Sequence, residues 1–169
     1  MKRKELLLLA CIMVLSMVLM GCVGGNNAEI VWDTYNGEDF VLGYPGEWSI
    51  LEESQQEVFI GDADTEEDAN KMISFQSLSE EYTETDWNAV KTNIEDELSG
   101  EVVETTIEGY PAYKIQTTIQ EISPEDNENG TIDIAYIYKS NFIYILMYGG
   151  KDGNYSSDMS DEIFDRFEF

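Results

Sequence analysis

Carboxylate side chains at alternating positions form the pattern in this sequence that is best suited to chemistry. In the stretch Asp62-Ala-Asp64-Thr-Glu66-Glu67-Asp68, acidic residues stand two positions apart. A hard cation such as calcium takes six to eight oxygen ligands, many of them from carboxylates. The candidate ligands of a low-affinity calcium or magnesium site are therefore Asp62, Asp64, Glu66 and Asp68.

The same stretch departs from the calcium loop of an EF-hand. That loop has a Gly at its sixth position and a Glu at its twelfth, and this sequence has neither. The comparison favours a solvated acidic turn over a cation site. A second acidic stretch, Asp126-Asn-Glu128-Asn-Gly130, contains the Asn-Gly pair that is typical of a turn between strands. We therefore expect no required cofactor.

Residues that commonly carry catalysis are missing. The chain has no His, which is the usual general base near neutral pH and the commonest metal ligand. No Gly-x-Ser-x-Gly elbow and no phosphate-binding Gly loop occurs. Two carboxylates can hydrolyse glycosides, but with 35 Asp and Glu some pairs must be close by chance. We predict that the protein is not an enzyme.

The charge of the chain excludes further classes of partner. Nine Lys and Arg stand against 35 Asp and Glu, so the net charge is −26. A nucleic-acid binder needs a stripe of basic residues to neutralise phosphates. We expect no binding to nucleic acid, and the same electrostatics disfavour anionic lipid headgroups and phosphorylated substrates.

The N-terminal residues have the three-part form of an export signal. Basic residues precede an apolar run over 6–20, which is short for a membrane span of about 20 residues. The run ends in Leu19-Met20-Gly21-Cys22, which resembles the lipobox of secreted lipoproteins. The resemblance implies a signal peptide over 1–21, a lipid on Cys22, a tether over 22–29 and anchoring outside the cytoplasm. An uncleaved anchor helix is the alternative.

Cleavage before Cys22 changes the composition of the remaining chain. It leaves six basic and 34 acidic residues, hence a net charge of −28, and no Cys other than the lipidated one. The body therefore contains no disulfide and no thiol site. Residues 30–169 have the size of one domain. Because charges of one sign repel each other most at low ionic strength, we expect stability to rise with salt.

Hydrophobic periodicity predicts a chain rich in strands. A helix is predicted after Thr85, since Trp87, Val90, Ile94 and Leu98 recur at a helical spacing, with Thr85 or Asp86 as its cap. A second amphipathic helix is predicted over 157–167. Strands are predicted over 30–35, 40–44, 48–51, 58–60, 72–78, 102–107, 110–119, 132–138 and 142–148. The order favours an α+β fold, an antiparallel sheet flanked by helices on both faces.

Aromatic turns in the body resemble the PsbP-like family. Phe40-Val-Leu-Gly-Tyr44-Pro45-Gly-Glu-Trp48 is similar to the opening of those domains, and a Gly-Tyr-Pro-Ala-Tyr turn over 109–113 follows the mid-chain helix. The resemblance covers 30–169. It implies an α/β/α sandwich, a fold that PsbP shares with the Ran-binding Mog protein, and a non-enzymatic accessory role.

These observations predict a lipid-anchored extracytoplasmic module that binds a protein partner in the cell envelope. A solute- or carbohydrate-binding lipoprotein is the alternative, with Tyr44, Trp48, Tyr110 and Tyr113 as a candidate aromatic platform. A closed pocket lined by Trp and Tyr would favour that alternative. Two sequons make Asn129 and Asn154 candidate N-glycosylation sites.

Overall fold

A computed structural model of the chain describes residues 30–65, 68–78, 80–119 and 129–169. Within these ranges the chain forms ten strands and two helices. The strands are β1 (Trp32–Asn36), β2 (Val41–Pro45), β3 (Ser49–Glu53), β4 (Glu57–Gly61), β5 (Lys71–Ser77), β6 (Val102–Ile107), β7 (Tyr110–Ile119), β8 (Gly130–Lys139), β9 (Phe142–Lys151) and β10 (Phe167–Glu168). The helices are α1 (Glu84–Glu97) and α2 (Ser157–Asp165). Neither of these two helices is long and apolar enough to span a membrane.

Most strands belong to one antiparallel sheet of seven, in the order β3-β4-β5-β9-β8-β7-β6. The most apolar strands, β8 and β9, lie at its centre, as strands buried on both faces should. The hairpin β6–β7 turns at Glu108 and Gly109, and β8–β9 turns at Ser140 and Asn141; all four residues have positive φ. Such paired positive φ values give the tight turns that match the twist of antiparallel strands.

The two faces of the large sheet are covered by different layers. Alternate residues point to opposite faces, so Met72 packs on the side of α1 while Ile73 packs on the other. On the first face, Trp87 of α1 stacks on Tyr113 with ring centroids 4.3 Å apart. On the second face, a small sheet in the order β1-β2-β10 packs through Leu42 and Phe167, both fully buried.

The predicted α+β sandwich with helices flanking the sheet on both faces is wrong. The second face is covered by the three-stranded sheet, and α2 is a nine-residue helix beside it that leads directly into β10. The structure is a β-rich sandwich of two antiparallel sheets. The cause is that β2 pairs with β1 on one side and with Phe167–Glu168 on the other, so these strands form a separate layer instead of extending the large sheet.

The start of α1 also differs from the prediction. Thr83 is the N-cap, and its side chain and that of Asp86 form a reciprocal capping box. Asp86 therefore helps to cap the helix from inside its first turn, while Thr85 is a helical residue. The cap therefore lies two to three residues earlier than expected.

The sandwich has two poles that the hairpin β1–β2 connects. At the first, here called the Val31 pole, Gly46 N donates to Val31 O at 2.7 Å and Trp48 lies 6.5 Å from Tyr148, centroid to centroid. At the opposite end of the hairpin, the Phe40 pole, the Phe40 ring packs on Phe75. A five-residue strand such as β1 separates its ends by about 17 Å.

Candidate functional site

An open cleft with a volume of about 380 Å³ lies at the Phe40 pole, between the turn of the small sheet and the large sheet. This volume falls in the range of known ligand sites, which is roughly 300–1,000 Å³. Four separate segments of the chain contribute to it. We call it the aromatic cleft, and its lining residues are Glu38, Asp39, Phe40, Gln55, Gln56, Phe75, Ser77, Leu78, Phe142 and Tyr144.

The floor of the aromatic cleft is a packed set of rings. The centroids of Phe40 and Phe75 are 3.9 Å apart, and those of Phe75 and Tyr144 are 5.9 Å apart. Gly37 permits this arrangement, because a Cβ at that position would lie 2.2 Å from the Phe40 ring. The rings bury their faces against one another, so the floor is an apolar surface and not a single free aromatic plate.

The rim of the aromatic cleft is polar and uncharged on one side. The turn between β3 and β4 presents the exposed residues Gln55 and Gln56. Ser54 Oγ accepts from the backbone N–H of Gln56 and of Glu57, both at 3.2 Å. Ser77 N donates to Gln56 O at 2.8 Å and ties this turn to the end of β5. These bonds fix the backbone of the turn that carries the two exposed amide side chains.

Carboxylates form the other side of the rim. Glu38 and Asp39 are exposed in the turn between β1 and β2. Burial raises the pKa of the Tyr144 hydroxyl, and the negative charge of Asp39 raises it further. The field of Asp39 therefore extends to the aromatic floor. No basic residue is among the residues that line the cleft.

Four of the basic residues of the described ranges contact other groups of the chain. Lys139 is at the same pole, and its Nζ lies over the ring of Phe169 at 4.1 Å from the centroid. Ion pairs join Lys91 to Glu104 at 2.7 Å and Lys114 to Asp161 at 3.3 Å. The guanidinium of Arg166 lies over the Trp32 ring at 4.3 Å. The cleft consequently has a negative rim without a counter-charge of its own.

The acidic stretch singled out from the sequence is a turn between β4 and β5. Asp62 Oδ1 accepts from the backbone N–H groups of Asn70 at 2.7 Å and Lys71 at 3.0 Å. Asp68 accepts from the Thr65 hydroxyl at 2.8 Å, and Asp64 accepts from Ser49 Oγ at 3.5 Å. These bonds close the loop locally.

The described residues include no group of three or more acidic, Cys or His side chains placed to share a cation. Glu66 lies outside the described residues. The calcium or magnesium site therefore stays a prediction. A cation site at the second acidic stretch also stays a prediction, because residues 120–128 lie outside the described residues.

The two sequons lie near the Val31 pole. Asn154 is exposed in the segment between β9 and α2, and Asn129 is half-buried, with its carbonyl accepting from Asp152 N at 3.0 Å. Glycosylation of both residues stays a prediction. Cys22 and the whole lipobox lie outside the described residues.

The predicted aromatic platform does not assemble. Trp48 and Tyr113 are 7% and 8% exposed, and they belong to the cores on opposite faces of the large sheet. Tyr44 and Tyr110 are only half-buried but pack against the second core. These aromatic residues are used for packing.

A buried polar cluster around Asp133 is the other concentration of reactive groups. The carboxylate of Asp133 accepts from Gln116 Nε2 at 3.1 Å, from the Tyr155 hydroxyl at 2.5 Å and from Ser160 Oγ. Ser160 is 1% exposed, and none of the cluster residues lines the aromatic cleft. The cluster joins β7, β8 and α2, so we interpret it as a structural anchor for the helix.

A second, smaller cavity of about 130 Å³ lies between the end of α1 and the first face of the large sheet. Its lining is mainly aliphatic and includes Leu98, Ile132 and Met147. It is below the size range of typical ligand sites. We therefore assign the candidate site to the aromatic cleft.

Sequence reasoning missed the aromatic cleft. Its first and last segments are more than a hundred residues apart, and each one alone is an ordinary turn or strand end. The one local signal is the pair Gln55-Gln56 in a turn, followed by strands with aromatic residues. That signal alone does not indicate a binding site, because the site forms only where the fold brings these segments together.

No protein-family model matches the chain, and no curated protein sequence matches it either. Solved structures do. A crystal structure of a protein from Bacteroides thetaiotaomicron VPI-5482 is similar with a TM-score of 0.54 at 14% identity, covering 76% of this chain. This chain spans 44% of the length of that protein.

The Ran-binding protein Mog1p of Saccharomyces cerevisiae is similar with a TM-score of 0.50 at 10% identity, covering 83% of this chain and 96% of Mog1p. LpqN, described as involved in cell envelope biogenesis of Mycobacterium tuberculosis, has a TM-score of 0.37 at 11% identity, covering 83% of this chain and 87% of LpqN. The last similarity is too low to carry an argument. The first two similarities concern the fold alone. The similarity to Mog1p is compatible with the fold that the PsbP-like resemblance implies.

Proposed function

We propose that this chain is a membrane-anchored, extracytoplasmic and non-enzymatic module that binds a protein partner of the cell envelope through the aromatic cleft. The observation that carries the proposal is the open cleft at the Phe40 pole, with an apolar floor and a polar rim. Apolar centres surrounded by polar rims are typical of protein-binding surfaces.

The position of the cleft supports a role in recruiting a partner. The tether over 22–29 enters the domain at Ile30, beside the Val31 pole, and the cleft is at the other end of the hairpin. Eight extended residues span at most about 29 Å, so the lipid keeps the Val31 pole near the membrane. The cleft lies at the end of the hairpin opposite to this attachment point, which leaves it available to a partner in the envelope.

The solute- or carbohydrate-binding alternative has less support. That function favours an enclosed pocket with Trp or Tyr faces free to stack on a sugar. The cleft is open, its floor is mainly Phe, and its rings are packed against each other. Trp48 and Trp87 are buried in the two cores, away from it.

Affinity capture from solubilised native membranes tests the proposal. The lipidated full chain serves as bait beside Gln55→Trp, which fills the cleft from an exposed turn, and Glu95→Trp, which places the same ring on the exposed side of α1. We expect the unmodified chain and Glu95→Trp to capture one envelope protein in stoichiometric amount and Gln55→Trp to lose it. Equal capture by all three baits, or by none, would contradict the proposed function.

A further inference from the structure

The rim of the aromatic cleft carries two carboxylates that form no ion pair within the described residues. Glu38 and Asp39 take part in none of the ion pairs of the described residues, which involve Glu104, Asp161 and Glu162. Both carboxylates are exposed beside an apolar floor. A ligand that brings positive charge to this rim gains attraction without displacing an internal partner.

The floor suits the rest of such a ligand. Lys and Arg have long apolar stems that pack along apolar surface while their charged heads stay near water. Leu78 and Phe142 offer that surface beneath the rim, and the ring of Tyr144 lies next to them.

The chain itself packs lysine side chains on aromatic rings at two places, one of them at the Phe40 pole. Lys114 Nζ lies 4.3 Å from the centroid of Phe164, and Lys139 Nζ lies 4.1 Å from that of Phe169. At the aromatic cleft the rings and carboxylates are present, but no lysine or arginine of the described residues lines the site. The missing component of the arrangement is a cationic side chain.

From this charge complementarity we infer that the aromatic cleft receives a polypeptide segment of the partner in which lysine or arginine alternates with apolar residues. The apolar side chains contact Phe142 and Leu78, the cationic groups meet Glu38 and Asp39, and the amides of Gln55 and Gln56 bond to the backbone of the segment. The inference rests on the proposed function and specifies the chemistry of the partner.

Fluorescence anisotropy with three labelled peptides tests the inference on the lipidated full chain in an uncharged detergent. The peptides are nine residues long and alternate leucine with lysine, glutamine or glutamate. We expect the lysine peptide to bind at least about tenfold more tightly than the other two, the difference that a few exposed charge pairs produce. Equal binding of the three peptides would overturn the inference.

Matched variants separate the cleft from the overall negative charge. The double variant Glu38→Gln/Asp39→Asn removes two charges at the rim, and Glu95→Gln/Asp96→Asn removes the same two types from the exposed side of α1. We expect about tenfold weaker binding from the first and less than twofold from the second, since exposed charges beyond a Debye length are screened. Equal losses would refute a specific site.

Two substitutions at the exposed residue Gln55 should change the affinity for the lysine peptide in opposite directions without disturbing the fold. Gln55→Glu adds a third carboxylate to the rim and should tighten the lysine peptide about threefold, whereas Gln55→Lys should weaken it by more. Displacement of the peptide by a neutral oligosaccharide, with no effect of either variant, would overturn the inference and support the carbohydrate-binding alternative.

The capture experiment distinguishes the two failures. If Gln55→Trp abolishes capture but the three peptides bind equally, the inferred chemistry of the partner segment is wrong and the proposed function remains. If capture does not depend on the cleft, both are wrong.

Discussion

The hydroxyl of Tyr155 donates a 2.5 Å hydrogen bond to the carboxylate of Asp133, and this bond connects the segment before α2 to the central strand β8. Ser160 of α2 donates to the same carboxylate. Gln116 Nε2 donates to both Asp133 and Tyr155, at 3.1 Å and 2.7 Å. A buried carboxylate that accepts bonds from three elements makes α2 depend on the large sheet.

Replacing Asp133 should destabilise the fold severely. Asp133→Ala leaves three donors without their acceptor in a site where Asp133 is 4% exposed. We expect the free energy of unfolding to fall by about 3–5 kcal/mol, and Asp133→Asn to lose less because its carbonyl still accepts. Urea unfolding measures both, with the exposed Asp152→Asn as control. A loss from Asp133→Ala no larger than that of the control would refute the anchoring role.

Buried tyrosines should make the fold sensitive to alkali. Burial raises the pKa of Tyr148 to about 12, and the charges of Asp62 and Asp133 act in the same direction. Burial and the bond to Asp133 also raise the pKa of Tyr155. Because the folded state holds these protons more tightly than the unfolded state, whose tyrosine pKa is about 10, their stabilisation is complete below pH 10. It is lost as the pH rises through the folded-state values.

Thermal unfolding across this range checks the effect. We expect the Tm to change little between about pH 8 and 9.5 and to fall from about pH 10 towards 12. Tyr148→Phe keeps the ring and removes one titrating hydroxyl, so its Tm should fall less steeply. An identical alkaline slope for the variant would rule out Tyr148 as a contributor.

Lys151 should reduce stability. Its side chain is 4% exposed, and its Nζ has no hydrogen-bond partner among the described residues. Burying a polar group without a bond costs about 1–3 kcal/mol by mutational measurement, and Met has a similar length without the ammonium. We expect Lys151→Met to raise the free energy of unfolding by about that amount.

Lys71→Met provides the matched control for Lys151→Met. Lys71 is half-buried on the neighbouring strand β5, so the control removes the same charge near the same end of the sheet. It should leave stability unchanged or slightly lower, since the chain is strongly acidic. A Lys151→Met protein less stable than the unmodified chain would show that the ammonium has a stabilising partner.

Salt should stabilise the protein. A net charge of −26, or −28 if the predicted signal peptide is cleaved, produces self-repulsion that acts over the Debye length. That length falls from about 10 Å at 0.1 M to about 3 Å at 1 M salt. We expect the Tm to rise between these sodium chloride concentrations. A Tm that does not change would contradict the electrostatic account.

The elements that the sequence predicted well are those with local signals. The period-two alternation in β7 and the continuous apolar runs of β8 and β9 depend only on neighbouring residues, and these strands form as expected. Residues that are close in sequence do not determine which of the two sheets an early strand joins. Phe167 pairs with Leu42 across 125 residues, and this contact creates the second sheet that composition and periodicity could not predict.

The candidate site shows the same division. The acidic turn at Asp62 was visible because its residues are consecutive, and the Asp62 side chain proves to accept from two backbone N–H groups. The aromatic cleft needs Phe40, Gln55 and Tyr144 together, and they meet only because the small sheet lies over the large one. The sequence alone therefore could not predict this site.

Site-specific cross-linking in native membranes tests the central claim most directly. The two Cys of the chain lie in the predicted signal peptide and lipobox, so after the proposed processing Gln55→Cys provides a unique thiol at the rim for a benzophenone, and Glu95→Cys provides one on α1. We predict that irradiation links the label at position 55 to a single envelope protein, and that the label at position 95 does not reach it. Cross-links to the same proteins from both positions, or none from position 55, would contradict a partner-binding cleft.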